Sequence, residues 1–317
     1  MFEKLLDNIE KFDSIVIFGH INPDGDCYGS QIALRKSLSL AYPNKHVYAV
    51  GSGYRRFDKM LGEMDVVDDH IIEQSLAILV DANDLPRSED KRIEIAKAWI
   101  KIDHHVDIGS FTQGDFVVDE DANSCCEIIT DMIRELNLPI DYTVSNGLYL
   151  GILTDTGRFQ YIKDFPKAFQ QVGWLCENGA DPKELNRILN ITSESSLAFK
   201  GYVYSNYKKT ETGTIYLFIN KETLNRYNLT ASKAGSMVNL ISNLSGYPIW
   251  AFFCENDDGS CHAEFRSNGP AVQPIAASHG GGGHVLAAGV TLEKYDEKDM
   301  LQIIDELDEA IKSYKAE

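Results

Sequence analysis

The first half of the chain repeats one arrangement, in which a short apolar run of β-forming residues ends in a cluster of acidic or imidazole side chains. Ser14-Ile-Val-Ile-Phe18 leads into His20-Ile-Asn-Pro-Asp24-Gly-Asp26, Leu76 to Val80 leads into Asp81-Ala-Asn-Asp84, and Ala98 to Ile102 leads into Asp103-His104-His105. A further strand is expected over Lys45 to Val50. Apolar residues recur at helix spacing over Tyr28 to Leu40, Glu127 to Leu136 and Val144 to Leu153. Such alternation predicts an α/β fold, a mainly parallel sheet with flanking helices. In open sheets of this kind ligands bind outside the carboxyl ends of the strands, where these clusters fall.

A chain of 317 residues has room for about two domains. The pattern is helical from Pro166 to Leu189, and a further helix over Glu194 to Lys209 reads as a connector. Beyond Thr210 come a strand over Thr214 to Ile219, a helical Ala231 to Leu244, strands over Ile249 to Cys254 and His262 to Arg266, and a terminal helix over Glu297 to Tyr314. The expected organisation is a first domain over 1–190, a helical linker over 191–210, and a smaller α/β domain over 211–317.

Apolar residues make up 44% and charged residues 25%, which excludes wholesale disorder. The longest apolar stretches fall far short of the roughly 18 residues of a membrane span. The N-terminus reads as an acidic, Lys-punctuated helix rather than a secretion signal, which predicts a cytoplasmic protein. Thirty Lys and Arg against 48 Asp and Glu give a net charge of −18, which disfavours binding of long duplex nucleic acid. Short nucleotides remain compatible, because metal ions in a pocket can reverse the local field. The six cysteines form no C-x-x-C pair and read as reduced, mostly buried thiols.

His20, Asp24 and Asp26, joined by glycine-permitted turns, can point ligand atoms into one small volume. The ordinary alternative is an Asx-rich turn capping the helix near Tyr28, with Asp26 equally suited to that role. Asp81, His104 and Asp155 each have an ordinary reading as loop, core or cap residues. Their joint occurrence at element ends favours a shared site.

On these residues the sequence resembles the DHH phosphoesterase superfamily, named for the run Asp103-His104-His105, with its four motifs present in order. The second half, through Phe265-Arg266-Ser267-Asn268 and Gly280-Gly281-Gly282-Gly283-His284, resembles the DHH-associated C-terminal domain of the nano-RNase and pAp-phosphatase branch. The similarity covers essentially the whole chain. It implies one metal held by His20, Asp24 and Asp81 and a second held by Asp26, Asp81, His104 and Asp155, with Asp81 bridging. Oxygen and imidazole ligation without thiolate favours two Mn²⁺ ions, with Mg²⁺ or Co²⁺ as substitutes. Cys27 reads as packing.

Two such ions can share a water, lower its pKa and aim the resulting hydroxide at phosphorus. His105 would orient the metal cluster or protonate the leaving group, with Asp103 in support. Arg158 would reach the scissile phosphate or pair with a neighbouring carboxylate. Arg266 offers a donor fork for a terminal phosphate, the alternative being a surface salt bridge. Ser267 and Asn268 fall in the same motif. The glycine run and His284 read as a phosphate clamp or as a flexible surface loop. The implied activity is 3′-to-5′ hydrolysis of very short RNA and linear dinucleotides such as pApA to 5′-mononucleotides. The alternatives are a pAp 3′-phosphatase activity, a cyclic di-AMP phosphodiesterase, and a nucleotide-binding regulator with a degenerate site. A homodimer is left open.

Overall fold

The computed structural model describes residues 2–106 and 114–316. The chain divides into two compact units, Met1–Ile191 and Thr192–Glu317. In the first, β1 (Ser14–Phe18), β2 (His46–Ala49), β3 (Leu76–Val80), β4 (Ala98–Asp103) and β5 (Asp115–Val118) form a parallel sheet in the order β2-β1-β3-β4-β5. The central strands are continuous apolar runs because both of their faces are covered. Ile15, Ile17, Ile78 and Val80 enter one core, while Val16, Phe18, Ala77 and Leu79 enter the other. This strand order reverses direction between β1 and β3, and such a switch point opens a crevice at the carboxyl ends of the two strands. His20 lies two residues past β1, and Asp81 directly follows β3.

Two helices flank that crevice. The Asp24 carboxylate accepts the Asp26 and Cys27 N–H groups and so starts Gly25–Ala41. Asp141 caps Tyr142–Asp155 through the Val144 N–H. The helices run side by side in opposite directions at glycine-only separation. A Cβ on Gly29 would lie 2.2 Å from the Gly147 carbonyl oxygen, and one on Gly25 would lie 2.4 Å from Thr154 Oγ1. The start of one helix, with Asp26, is thereby set beside the end of the other, with Asp155.

The second unit holds β6 (Lys208–Lys209), β7 (Thr214–Ile219), β8 (Ile249–Glu255), β9 (Cys261–Ser267), β10 (Gly282–His284) and β11 (Ala287–Leu292), in the order β10-β11-β9-β8-β7-β6. Only β7 and β8 pair in parallel. The terminal helix Glu297–Ala316 buries Met300, Ile303, Ile304, Leu307 and Ile311 against Ala251, Phe253 and Phe265 on one face. On the other face Trp250, Phe252 and Cys254 pack with Phe199, Val203, Leu224 and Val238.

The helix Glu194–Asn206, within the segment read as a connector, thus places Phe199 and Val203 in the core of the second unit. The helix expected over Ala231 to Leu244 is broken into Ala231–Gly235 and a 3₁₀ turn, Val238–Ile241. Gly235 and Ser236 are poor helix formers, and Gly235 is pressed against His262. The Pro166 to Leu189 pattern divides at Gly179, which has a φ of +99°, into Phe165–Glu177 and Pro182–Leu189. No helix among the described residues is long and apolar enough to cross a membrane.

Replacing Gly29 with valine is expected to destabilise the protein by about 2–3 kcal/mol, because the new side chain meets backbone that cannot retreat. The urea unfolding midpoint measures this, and an unchanged midpoint would contradict the glycine contact.

Candidate metal centre

Four loops and helix ends meet at the carboxyl edge of the first sheet. His20 is tethered by a β-bridge to Ser88, and its Nδ1 donates to the Ile21 carbonyl at 3.0 Å. Its Nε2 is left facing Asp81 Oδ2 at 3.4 Å and Asp24 Oδ1 at 3.8 Å. An imidazole whose other nitrogen donates to a carbonyl is in the orientation and tautomer that metal ligation uses.

Asp81 stands at the centre. Its backbone adopts a left-handed φ of +57°, uncommon for a residue with a Cβ, which turns the chain sharply as it leaves β3. Oδ2 faces His20, while Oδ1 faces His104 Nε2 at 3.4 Å and His105 Nδ1 at 3.7 Å. Oδ1 is buried without a hydrogen-bond partner. His104 Nε2 also lies 3.4 Å from Asp155 Oδ2 and 3.9 Å from Asp26 Oδ2. The structure therefore brings His20, Asp24, Asp26, Asp81, His104 and Asp155 into one continuous chain of contacts.

Asp26 is fully buried and is not the helix cap, a role Asp24 takes. Its Oδ2 accepts the Cys125 N–H at 2.7 Å and its Oδ1 accepts the Cys126 N–H at 2.9 Å. These are the first two residues of the helix Cys125–Glu135, so the positive end of that helix faces the carboxylate. Gly151 makes the space, since a Cβ there would lie 2.5 Å from Asp26 Oδ1. Sequence reasoning missed both the helix start and Gly151. The signal for the first was Ser124-Cys-Cys-Glu127, in which Ser124 caps the Glu127 N–H.

Asp103 Oδ1 accepts the His104 and His105 N–H groups at 2.9 and 3.3 Å and holds His105 Nδ1 at 2.8 Å. Cys27 Sγ accepts the His20 N–H at 3.2 Å and lies within 4.8 Å of ligand atoms of His20 and Asp81. Burial pushes this thiol up to about 11, so it remains protonated at neutral pH. Arg158, in a left-handed turn after Asp155, donates to Asn190 Oδ1 at 2.8 Å rather than to a carboxylate.

The electrostatics are those of crowded negative charge. Burial, then the charges of Asp81 and Asp155, push Asp26 well up. Burial, followed by Asp81 and Asp24, raises Asp155 to about 6 against the pull of His104. Burial works to lower His104, but the Asp81 carboxylate beside it and the charges of Asp26 and Asp155 outweigh it and carry the ring to about 9. Burial works to raise Asp24, and the neighbouring His20 imidazole and the Cys27 N–H hold it below its ordinary value instead. Among the described residues no lysine or arginine forms an ion pair with Asp24, Asp26, Asp81 or Asp155. Clustered carboxylates and imidazoles, an orphaned buried carboxylate oxygen and no basic counter-charge form a donor set that fits divalent cations.

The remaining candidate residues lie in the second unit. Arg266 pairs with Glu264, while Asn268 donates to Asn243 Oδ1 at 2.9 Å and the buried Ser267 hydroxyl accepts the Gly269 N–H. The glycine run is a turn and an edge strand rather than a loose loop. Gly280 has a φ of +84°, a Cβ on Gly281 would lie 2.2 Å from the Gly289 carbonyl oxygen, and Gly282, Gly283 and His284 form β10.

The model of the N-terminal domain of the DHH family matches residues 14–152, and that of the DHHA1 domain matches residues 211–313. The bifunctional oligoribonuclease and PAP phosphatase NrnA of Bacillus subtilis (strain 168) is 33% identical over 95% of this chain and 96% of its own length. The chain belongs to the DHH superfamily, in its nano-RNase and pAp-phosphatase branch. The Mycoplasma genitalium protein of the same description is 35% identical over 90% of each chain. Among solved structures, an exopolyphosphatase-related protein from Bacteroides fragilis superposes with a TM-score of 0.85 at 23% identity, covering 99% of this chain and 96% of that one, a likeness of fold.

Cation binding at this DHH-family cluster is expected to release protons, because Asp26 and His104 hold theirs more tightly than isolated side chains do. Apparent affinity for Mn²⁺ should rise between pH 6 and 9, the window set by the ordinary histidine value and the raised His104 value. Calorimetry in buffers of different ionisation enthalpy reads the proton count directly. A heat independent of buffer would contradict the assignment.

Proposed function

We propose that this DHH-family chain is a manganese-dependent phosphodiesterase that hydrolyses very short RNA and linear dinucleotides such as pApA to 5′-mononucleotides, with 3′-dephosphorylation of pAp as a second activity. The observation that carries the reading is the single buried carboxylate of Asp81 set between two imidazoles, with one oxygen toward His20 and the other toward His104. Relatives described as bifunctional oligoribonuclease and PAP phosphatase, matched over nearly the full length of both chains, support the substrate class.

In this reading His20, Asp24 and Asp81 would hold one cation and Asp26, Asp81, His104 and Asp155 a second. Two Mn²⁺ ions, or Mg²⁺ or Co²⁺ in their place, supply when bound a polarised phosphoryl oxygen and an acidified water as nucleophile. The chain's own residues prepare the site. Asp81 serves both halves of the donor set, so its loss uncouples them. Asp103 fixes the His105 ring through Nδ1, and His105 in turn bears on Asp81 Oδ1 as a positioning residue. The Asp26 carboxylate is aimed by the helix starting at Cys125, which also favours its ionised form. Among the described residues Arg158 keeps donors beyond its bond to Asn190, and it is assigned to the scissile phosphate. Arg266, Ser267, Asn268, Gly280, Gly281, Gly282, Gly283 and His284 are assigned to the rest of the substrate. Gly282 has open space over its Cβ position, which suits close approach of a ligand.

Rates on pAp, pApA, a four-residue RNA and cyclic di-AMP, measured with Mn²⁺ and with chelator, test this reading. Hydrolysis of pApA and the short RNA to 5′-mononucleotides, a slower release of phosphate from pAp, and loss of all three with chelator are expected. Predominant turnover of the cyclic substrate would reject the assignment. Asp81→Ala should lower pApA turnover by about a hundredfold or more while the protein remains folded by circular dichroism. A wild-type rate in that variant would remove the bridging role.

A further inference from the structure

The second unit presents one sheet face whose composition is unlike the rest of it. Strand register sets His284 of β10, Ala287 of β11, Arg266 of β9 and Trp250 of β8 in one cross-strand row. The next row on the same face is Gly282, Gly289, Glu264 and Phe252. Trp250 and Phe252 lie under the helices. Beyond them the face changes to a floor of small residues, Gly282, Gly289 and Ala287, flanked by His284 on one side and by Glu264 and Arg266 on the other. The Glu264 carboxylate reaches over Gly289, while the space over Gly282 is open, so a ligand can approach the backbone at that edge.

Arg266 is held there from one corner. Its Nη1 donates to Glu264 Oε2 at 2.8 Å, to the Phe265 carbonyl at 2.8 Å and to the Ala288 carbonyl at 3.4 Å. Among the described residues its Nε and Nη2 make no hydrogen bond. Glu264 is itself fixed on several sides. His262 Nε2 lies 3.1 Å from its Oε1, Cβ positions on Gly235 and Gly289 would come within 3.2 Å and 3.3 Å of its side chain, and only a fifth of that side chain is exposed. Burial pushes its carboxyl up, but the His262 hydrogen bond and the Arg266 charge offset this and hold it below its ordinary value, so it is ionised at neutral pH. A guanidinium anchored at one nitrogen by a fixed carboxylate has its plane set in advance and keeps a parallel pair of N–H donors for a planar or tetrahedral oxyanion.

We propose that Glu264 is a positioning residue, fixing the Arg266 guanidinium so that its Nε and Nη2 edge is reserved for the non-scissile terminal phosphate of the substrate. The inference rests on the proposed function and deepens it, because it assigns to a carboxylate, the residue type least expected beside a phosphate, the orienting of the group that binds it. Without Glu264 the arginine keeps its charge and loses its direction.

The test uses the full chain in chelator, where turnover is absent, and titration calorimetry with pApA and with ApA, which lacks the terminal phosphate. The ratio of the two dissociation constants reports the phosphate contribution alone. Wild type is expected to prefer pApA, and Arg266→Ala to abolish the preference. Glu264→Ala should reduce the preference about tenfold, with Glu264→Gln in between. The double variant should match Arg266→Ala, because the carboxylate acts only through the arginine. Equal weakening of both ligands, a wild-type ratio in Glu264→Ala, additive losses in the double variant, or a wild-type protein without preference for pApA would each overturn the proposal. Hydrolysis of pApA by wild type with Mn²⁺, measured in parallel, tests the proposed function separately, since its absence leaves the binding ratio readable.

Discussion

Four carboxylates, Asp24, Asp26, Asp81 and Asp155, converge with no lysine or arginine ion pair among the described residues, and two of them are buried. Like charges a few ångströms apart in a protein interior cannot all stay ionised without compensation. Each carboxylate here has partial compensation of a different kind. Asp26 takes two N–H groups at a helix start, Asp24 takes two at the helix it caps, and Asp81 and Asp155 face imidazoles. The remainder falls to whatever positive species is present. In the metal-free protein that species is protons, as the raised Asp26, Asp155 and His104 values indicate. Divalent cations do the same with less crowding, and the orphaned Asp81 oxygen is the atom with most to gain.

The sheet order supplies the meeting place, and the helices supply the tolerance. Because β1 and β3 are neighbours though far apart in sequence, residues just beyond their ends meet at one edge of the sheet, where the connection after β3 folds back to bridge Ser88 to His20. Asp155 reaches the same edge because Tyr142–Asp155 lies against Gly25–Ala41 at a separation that a side chain on Gly29 would forbid and one on Gly147 would crowd. Gly25 and Gly151 continue the same seam toward the site. The glycines are thus part of how the cluster is positioned, although none contributes a ligand atom.

Much of this was legible in the sequence, and what was not has identifiable causes. β1 and β3 agree with their expected ranges to the residue, because buried parallel strands are continuous apolar runs bounded by polar ones. The clustering of His20, Asp81, His104 and Asp155 followed from their positions at element ends. β10, β11 and β5 were not anticipated. Ala287-Ala-Gly-Val-Thr-Leu292 has few strand-favouring side chains, and its pairing with β9 depends on close approach across small residues rather than on local preference. The partners of Asp26 were invisible for a different reason. They are backbone N–H groups, and any residue at the helix start could have provided them. Strand alternation puts Glu264 on the face of Arg266, but a charged residue in an alternating strand looks solvated until the structure shows Gly235, Gly289 and His262 packed around it.

A chain with a net charge of −18 faces a general difficulty with anionic ligands, since each phosphate brought near its surface meets repulsion. Attraction must be confined to places where the sign is locally reversed. On the proposed reading the reversal comes in the first unit from cations drawn in by the carboxylates, and in the second from the Arg266 guanidinium beside a floor of glycine and alanine. On the proposed reading this sets a limit on substrate length. Affinity for a polyanion grows with the number of phosphates a protein neutralises, and a protein with few such places gains nothing from additional nucleotides while still meeting the field of its own acidic exterior. Pairing Arg266 with Glu264 sharpens the point, because it gives up net positive charge in exchange for direction. Direction favours a phosphate at one defined position over a phosphate anywhere along a strand, and that is the discrimination a hydrolase of very short oligomers requires.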